Sequence, residues 1–121
     1  MSRLLTERNL WLSSVRPGGG PHLFPIWFVW VDDRFWICTS PSAKVRNIAQ
    51  EPRVAVALED GNDPMVAEGT ARVHDQPYPD AVAEAFATKF DWDITDPTSD
   101  GAYDVLIEIT VDRWLLGGPT A

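Results

Sequence analysis

The chain has 121 residues, the length of one domain, and we treat residues 1–121 as that domain. Its 10 basic and 18 acidic residues leave a formal charge of −8, which argues against a surface built to grip nucleic acid. A single cysteine, Cys38, excludes a disulfide-built secreted scaffold and a multi-cysteine zinc site. No apolar run reaches the ~20 residues of a membrane span, and the polar start MSRLLTERNL does not read as a signal peptide. A soluble, cytoplasmic protein is expected.

Ser2 to Arg8 reads as a short helix with Leu4 and Leu5 inward. Asn9 to Arg16 reads as a strand, closed by the turn Pro17-Gly18-Gly19-Gly20. The run His22 to Val31 is rich in aromatic and β-branched residues, which favours a strand. Asp32-Asp33 makes a hairpin turn, and Arg34 to Thr39 returns as a third strand. Pro41 to Glu51 has helical spacing, with Ser40 or Ser42 as N-cap and Pro52 as stop. Arg53 to Glu59 is a strand with Val54, Val56 and Leu58 on one face. Met65 to His74 is another, with Gly69 marking a bulge. Tyr78 to Phe90 forms a helix with Val82, Ala85, Phe86 and Phe90 on one side. After a polar loop, Asp91 to Gly101, the strand Tyr103 to Leu116 closes the chain. Six strands at hairpin spacing, with two or three short helices, predict a mainly β, antiparallel fold that suits a small closed barrel.

Thr39-Ser-Pro-Ser-Ala-Lys-Val-Arg-Asn47 carries the most chemistry. A strand delivers hydroxyls, then a helix start, then the cations Lys44 and Arg46, a combination that suits a phosphate. An ordinary capped helix with solvated cations fits the same spacing. The glycines of a P-loop are absent. In the aromatic run, alternation sends Phe24, Ile26, Phe28 and Trp30 one way and Pro25, Trp27 and Val29 the other. Both faces are apolar. A barrel core covers one, and the other needs a helix, a cofactor or a second subunit. Six tryptophans suit a Trp-rich core, a flat-ligand site or a subunit interface.

His22 and His74 lack metal-ligand spacing, and no metal site is expected. Asp91, Asp93, Asp96 and Asp100 fail the calcium pattern, with Asp96 at the glycine position and Ala102 at the glutamate position. Cys38 reads as a buried, inert thiol. No catalytic side chain stands out, so a bound cofactor is expected to carry the chemistry.

The stretches Pro21-His-Leu-Phe-Pro-Ile-Trp-Phe28, Thr39 to Asn47, Asn47-Ile-Ala-Gln-Glu-Pro-Arg-Val54 and Val66-Ala-Glu-Gly-Thr-Ala71 resemble, in order and spacing, the pyridoxamine 5′-phosphate oxidase-like family. The resemblance runs from residue 4 to about 116. It implies a six-stranded antiparallel split β-barrel of Greek-key type that forms a homodimer, with a flavin-type cofactor in a groove between subunits. The family's phosphate-binding lysine falls on Lys44, and Thr39, Ser40, Arg46 and Asn47 fall on positions lining that end. The ring system would lie along Pro25, Ile26 and Trp27, with the partner subunit contributing Trp114 or the region of Met65. The Lys-x-Arg-Asn run resembles the branch that uses the deazaflavin F420, with FMN the alternative cofactor. Arg16 and Arg53 are further cations for a longer, anionic tail. The implied activity is hydride transfer to a small organic substrate. The alternative is a carrier of flavin or haem without catalysis.

Overall fold

The computed structural model describes residues 2–96 and 105–119. The expectations for Asp100, Gly101, Ala102, Tyr103 and the last two residues lie outside the described residues. The elements run α1 (Arg3–Thr6), β1 (Asn9–Val15), β2 (Pro21–Trp27), β3 (Val29–Val31), β4 (Arg34–Thr39), α2 (Ala43–Gln50), β5 (Arg53–Leu58), β6 (Val66–His74), α3 (Asp80–Phe90) and β7 (Val105–Leu116). The strands form one mainly antiparallel sheet in the order β2-β1-β5-β6-β7-β4-β3.

The expectation of six strands is corrected to seven among the described residues. The run His22–Val31 breaks at Phe28, whose amide donates to the Arg8 carbonyl at 3.1 Å. The Phe28 side chain is fully buried and edge-on to Phe35. Its two halves, β2 and β3, are the opposite ends of the sheet. The sheet therefore curls until its ends meet in the chain at Phe28, with no ladder between them. Among the described residues the hydrogen-bonded barrel is not closed, and β2 pairs on one edge only, with β1.

Alternation places the core as expected. Leu10, Leu12, Phe28, Phe35, Ile37, Val56, Ile107 and Ile109 fill the inside of the curl, with Phe24, Ile26 and Trp30 packed against them. A second cluster lies outside it, where Val82, Phe86 and Phe90 of α3 cover Val29, Trp36, Cys38 and Leu106. That explains why β4 is buried on both faces. Fully burying a side chain such as Phe86 contributes about 1.5–3 kcal/mol. α1 is a single turn, so it has only one inward position: Leu4 takes it, and Leu5 is 51% exposed, correcting the expectation that both point in.

The turns follow their residues. Asp32 and Asp33 both take positive φ, at 55° and 60°, the pairing a tight hairpin needs between β3 and β4. The bulge expected at Gly69 is present, as a register shift between Glu68 and Gly69. A Cβ there would stand 2.5 Å from the Thr110 carbonyl oxygen, so the strands approach only because the residue is glycine. Among the described residues, no helix is long and apolar enough to cross a membrane.

Candidate functional site

α2 begins where β4 ends, after Thr39, Ser40 and Pro41. Ser42 is its N-cap in extended conformation, yet its side chain makes no capping hydrogen bond. Its Oγ is buried with no hydrogen-bond partner among the described residues. The first amides of any helix lack intrahelical partners, so this end offers donors without a side-chain acceptor.

Lys44 follows in the first turn. Its Nζ lies 4.6 Å from the centroid of the Phe24 ring. Among the described residues, no carboxylate lies within ion-pairing distance of it. Desolvation by burial lowers its pKa below the ordinary lysine value. A cation held this way gains from an approaching anion, which removes part of the desolvation cost.

His22 stands beside Phe24 on the same face of β2, with ring centroids 5.2 Å apart. Its Nδ1 is buried without a hydrogen-bond partner among the described residues. It is also opposite Ser14 in the β1–β2 register. The Asn47 amide donates to the Ser14 hydroxyl across a long 3.4 Å contact. Lys44 and Asn47 thus tie α2 to β2 and β1, with His22 between their anchor points.

The other expected site residues take different positions. Thr39 is 2% exposed, Ser40 is half-buried and Arg46 projects to solvent. Asn47 is 4% exposed and turned into the fold, where its amide meets the Ser14 hydroxyl. Ile26 packs toward the core, while Pro25 and Trp27 lie on the outer face of β2. Trp27 stacks on Phe90 of α3, with ring centroids 4.4 Å apart and planes 7° from parallel. The Arg8 guanidinium sits 5.0 Å from the Trp27 ring. The helix that the second apolar face needed is therefore α3, at the Trp27–Val29 end. Farther along, Leu23 remains 61% exposed and Trp11 40% exposed. Trp114 packs near Trp30 and Phe35, with centroids 6.2 and 6.1 Å away.

Sequence reasoning missed His22 as part of this end, having weighed it only as a metal ligand. The signal was its spacing: two residues before Phe24 on a strand puts both on one face. The other histidine has a partner, with Nε2 2.7 Å from a Glu108 carboxylate oxygen whose twin lies 2.7 Å from Arg34 Nε.

Among the described residues, an amine without a carboxylate partner, an uncapped helix start and the unpartnered Ser42 Oγ and His22 Nδ1 fit a phosphate-bearing ligand. The free edge of β2 runs from this cluster to the outward Pro25 and Trp27, so backbone groups lie between the two ends.

A family model for pyridoxamine 5′-phosphate oxidase matches residues 2–116. Among solved structures, the chain is similar to a conserved hypothetical protein from Mycobacterium tuberculosis, with 26% identity, TM-score 0.72, and 92% of this chain and 77% of that one covered. It is similar to a protein described as an F420 reductase, with 24% identity, TM-score 0.71, and 92% and 91% covered. It also shares the fold of HutZ, the haem storage protein from Vibrio cholerae, with 17% identity, TM-score 0.78, and 93% and 88% covered. No curated protein matches its sequence.

Proposed function

The chain belongs to the pyridoxamine 5′-phosphate oxidase family, and from that premise we propose that it is an oxidoreductase that uses a flavin-type cofactor, most specifically F420. Such a cofactor, when bound, supplies the hydride for reduction of a small organic substrate. The observation that carries this reading is Lys44, a desolvated amine without a carboxylate partner, beside the unpartnered Ser42 Oγ and His22 Nδ1. Lys44 holds the phosphate, and the amides at the start of α2 add donors. Thr39, Ser40 and Asn47 shape that end from beneath, and Arg46 adds long-range attraction for an anionic tail. Pro25, Ile26 and Trp27 form the ring-binding end along the free edge of β2. The family's flavin-using relatives, among them the F420 reductase, support a flavin-type cofactor. The same cradle suits FMN, whose phosphate makes the same demand.

The functional unit in this reading is a homodimer. In register across β2, β1 and β5, Leu23 lies opposite Ser13, and Pro25 opposite Trp11, which lies opposite Ala57. Leu23, Pro25, Trp11 and Ala57 among them make one apolar patch that α3 leaves uncovered. A second copy seated there would bury upwards of ~2,000 Å² in total. Sedimentation at micromolar concentration should show the dimer, and a lone 13.5 kDa species rejects it.

The deciding experiment is the absorbance spectrum and mass of whatever co-purifies, followed by parallel titration with F420 and FMN. Tight F420 binding and reduction of an enone or quinone by the reduced cofactor support the reading. Tight FMN binding without F420 affinity replaces the cofactor and keeps the cradle. Binding of neither removes the enzyme reading, and a Soret band in its place supports the haem carrier.

A further inference from the structure

The other lysine meets a cavity. Along one face of α3, the small residues Ala81 and Ala85 leave a groove of about 400 Å³ against Val29 and Trp30 of β3. Lys89 and Glu84 also line it. Lys89 Nζ donates to the Phe28 carbonyl at 2.9 Å and lies 4.0 Å from the centroid of the Phe28 ring. The amine is thereby held at a fixed place beside the groove that its side chain helps to line. Among the described residues, no carboxylate lies within ion-pairing distance of it. Burial, reinforced by the nearby positive charge of Arg8 and opposed by Glu7, lowers its pKa to about 8. An amine desolvated beside another cation is the usual arrangement for a nucleophilic lysine.

We infer that Lys89 is a carbonyl-reactive amine and that the α3–β3 groove admits a small, neutral, apolar aldehyde to form an imine on it. The amine lone pair makes the new C–N bond to the carbonyl carbon. A proton passes from nitrogen to oxygen, giving a carbinolamine. Loss of water then breaks the C–O bond and leaves C=N. Both amine hydrogens depart in that water, so no oxidant or reductant is consumed. Protonation of the imine restores one N–H, which the Phe28 carbonyl accepts as it does now. The alanines and Trp30 favour an apolar substituent, and the Glu84 carboxylate disfavours an anionic one.

The chain contains two lysines, so Lys44 is an internal control. The intact protein is treated with butanal and cyanoborohydride at pH 7, and each lysine peptide is followed by mass. Lys89 should label at least about fivefold faster than Lys44, because the groove gathers the aldehyde beside its amine. Equal rates, or a faster Lys44, overturn the inference. Ala81→Trp, which fills the groove, should slow Lys89 at least about fivefold and leave Lys44 unchanged. An unaffected Lys89 rate in that folded variant also overturns it. If Ala81→Trp does not fold, a series of aldehydes of increasing bulk on the unaltered protein decides. The Lys89-to-Lys44 labelling ratio should fall with bulk, and a constant ratio rejects the groove.

Discussion

Lys44 and Lys89 are both half-buried amines resting on a phenylalanine ring, Phe24 for the first and Phe28 for the second. They differ in what else holds them. Lys89 bonds the carbonyl of the residue at which β2 gives way to β3, so its amine belongs to the closure of the sheet. Among the described residues, Lys44 has no such bond, and its neighbours Ser42 and His22 carry unpartnered buried atoms. The two burials lower both pKa values, but only at Lys44 do the surroundings ask for an anion. The lesson is that a desolvated lysine identifies a site through its partners rather than through its burial.

The hardest way to break this comparison is at Phe28 itself. Its side chain is fully buried, meets Phe35 edge-on and lies beneath Lys89. Phe28→Ala should cost about 3–5 kcal/mol of stability, as large cavity-forming changes do. Urea unfolding of the variant gives the value directly. The cradle at α2 should remain able to bind its cofactor at temperatures where the variant is folded. A loss below about 1 kcal/mol would show that the junction relaxes without cost, and Phe28 would not be the closing residue.

Most of the sheet was legible because its signals are local and periodic. Val54, Val56 and Leu58 alternate cleanly, and all three are buried. Phe24, Ile26, Phe28 and Trp30 all reach the inner core despite the break, since one missing ladder position leaves the alternation of faces intact. The break itself was not legible. Nothing in Phe-Val-Trp marks Phe28 as a junction; its amide turns to Arg8, a partner far away in sequence. Packing of α3 on Trp27 was likewise out of reach, because amphipathic spacing tells which face of a helix is apolar but not which strand it meets. The site divides similarly. Lys44 stood out because lysine is rare in this chain. The orphaned atoms of Ser42 and His22 appear only in the folded structure, where buried polar groups can be matched with partners.

Lys44→Ala sharpens the comparison from the other side. A charge-assisted hydrogen bond to phosphate is worth ~1.5–3 kcal/mol, so cofactor affinity should fall by roughly tenfold to over a hundredfold. The melting temperature without cofactor should stay nearly fixed, because the amine makes no hydrogen bond to the protein among the described residues. Calorimetric titration beside a thermal melt checks both. Unchanged affinity with an unchanged melt leaves an ordinary helix start with a solvated cation.

Lys89 gives a smaller effect, visible in pH dependence. Its folded pKa, about 8, lies below the ordinary lysine value of 10.5. Between those values the unfolded chain holds the proton and the folded chain has released it. Stability from this group therefore rises with pH across that window, and below pH 8 the burial penalty is fully present. The stability difference between the native chain and Lys89→Met should rise over the same window. Solvent screening of the half-exposed amine keeps the rise modest. A flat or falling difference would mean that the ring and carbonyl contacts hold the cation as well as water does.

Arg46 lies one residue past Val45 in α2, on the solvent side, and marks the lower limit of the cradle. Its guanidinium has no ion-pair partner among the described residues, so removing it leaves no buried charge behind. Its attraction for an anionic cofactor acts through water and is worth about 0–1 kcal/mol, the range for exposed charges. Arg46→Ala should thus weaken binding by no more than about fivefold, in the same direction as Lys44→Ala. Salt separates the two. At an ionic strength near 1 M the Debye length shrinks to about 3 Å, and the Arg46 contribution should vanish. The Lys44 contribution, made through a desolvated contact, should largely survive. An Arg46 effect as large and as salt-resistant as that of Lys44 would show that the guanidinium folds back onto the ligand, and the cradle would then have two direct cations instead of one.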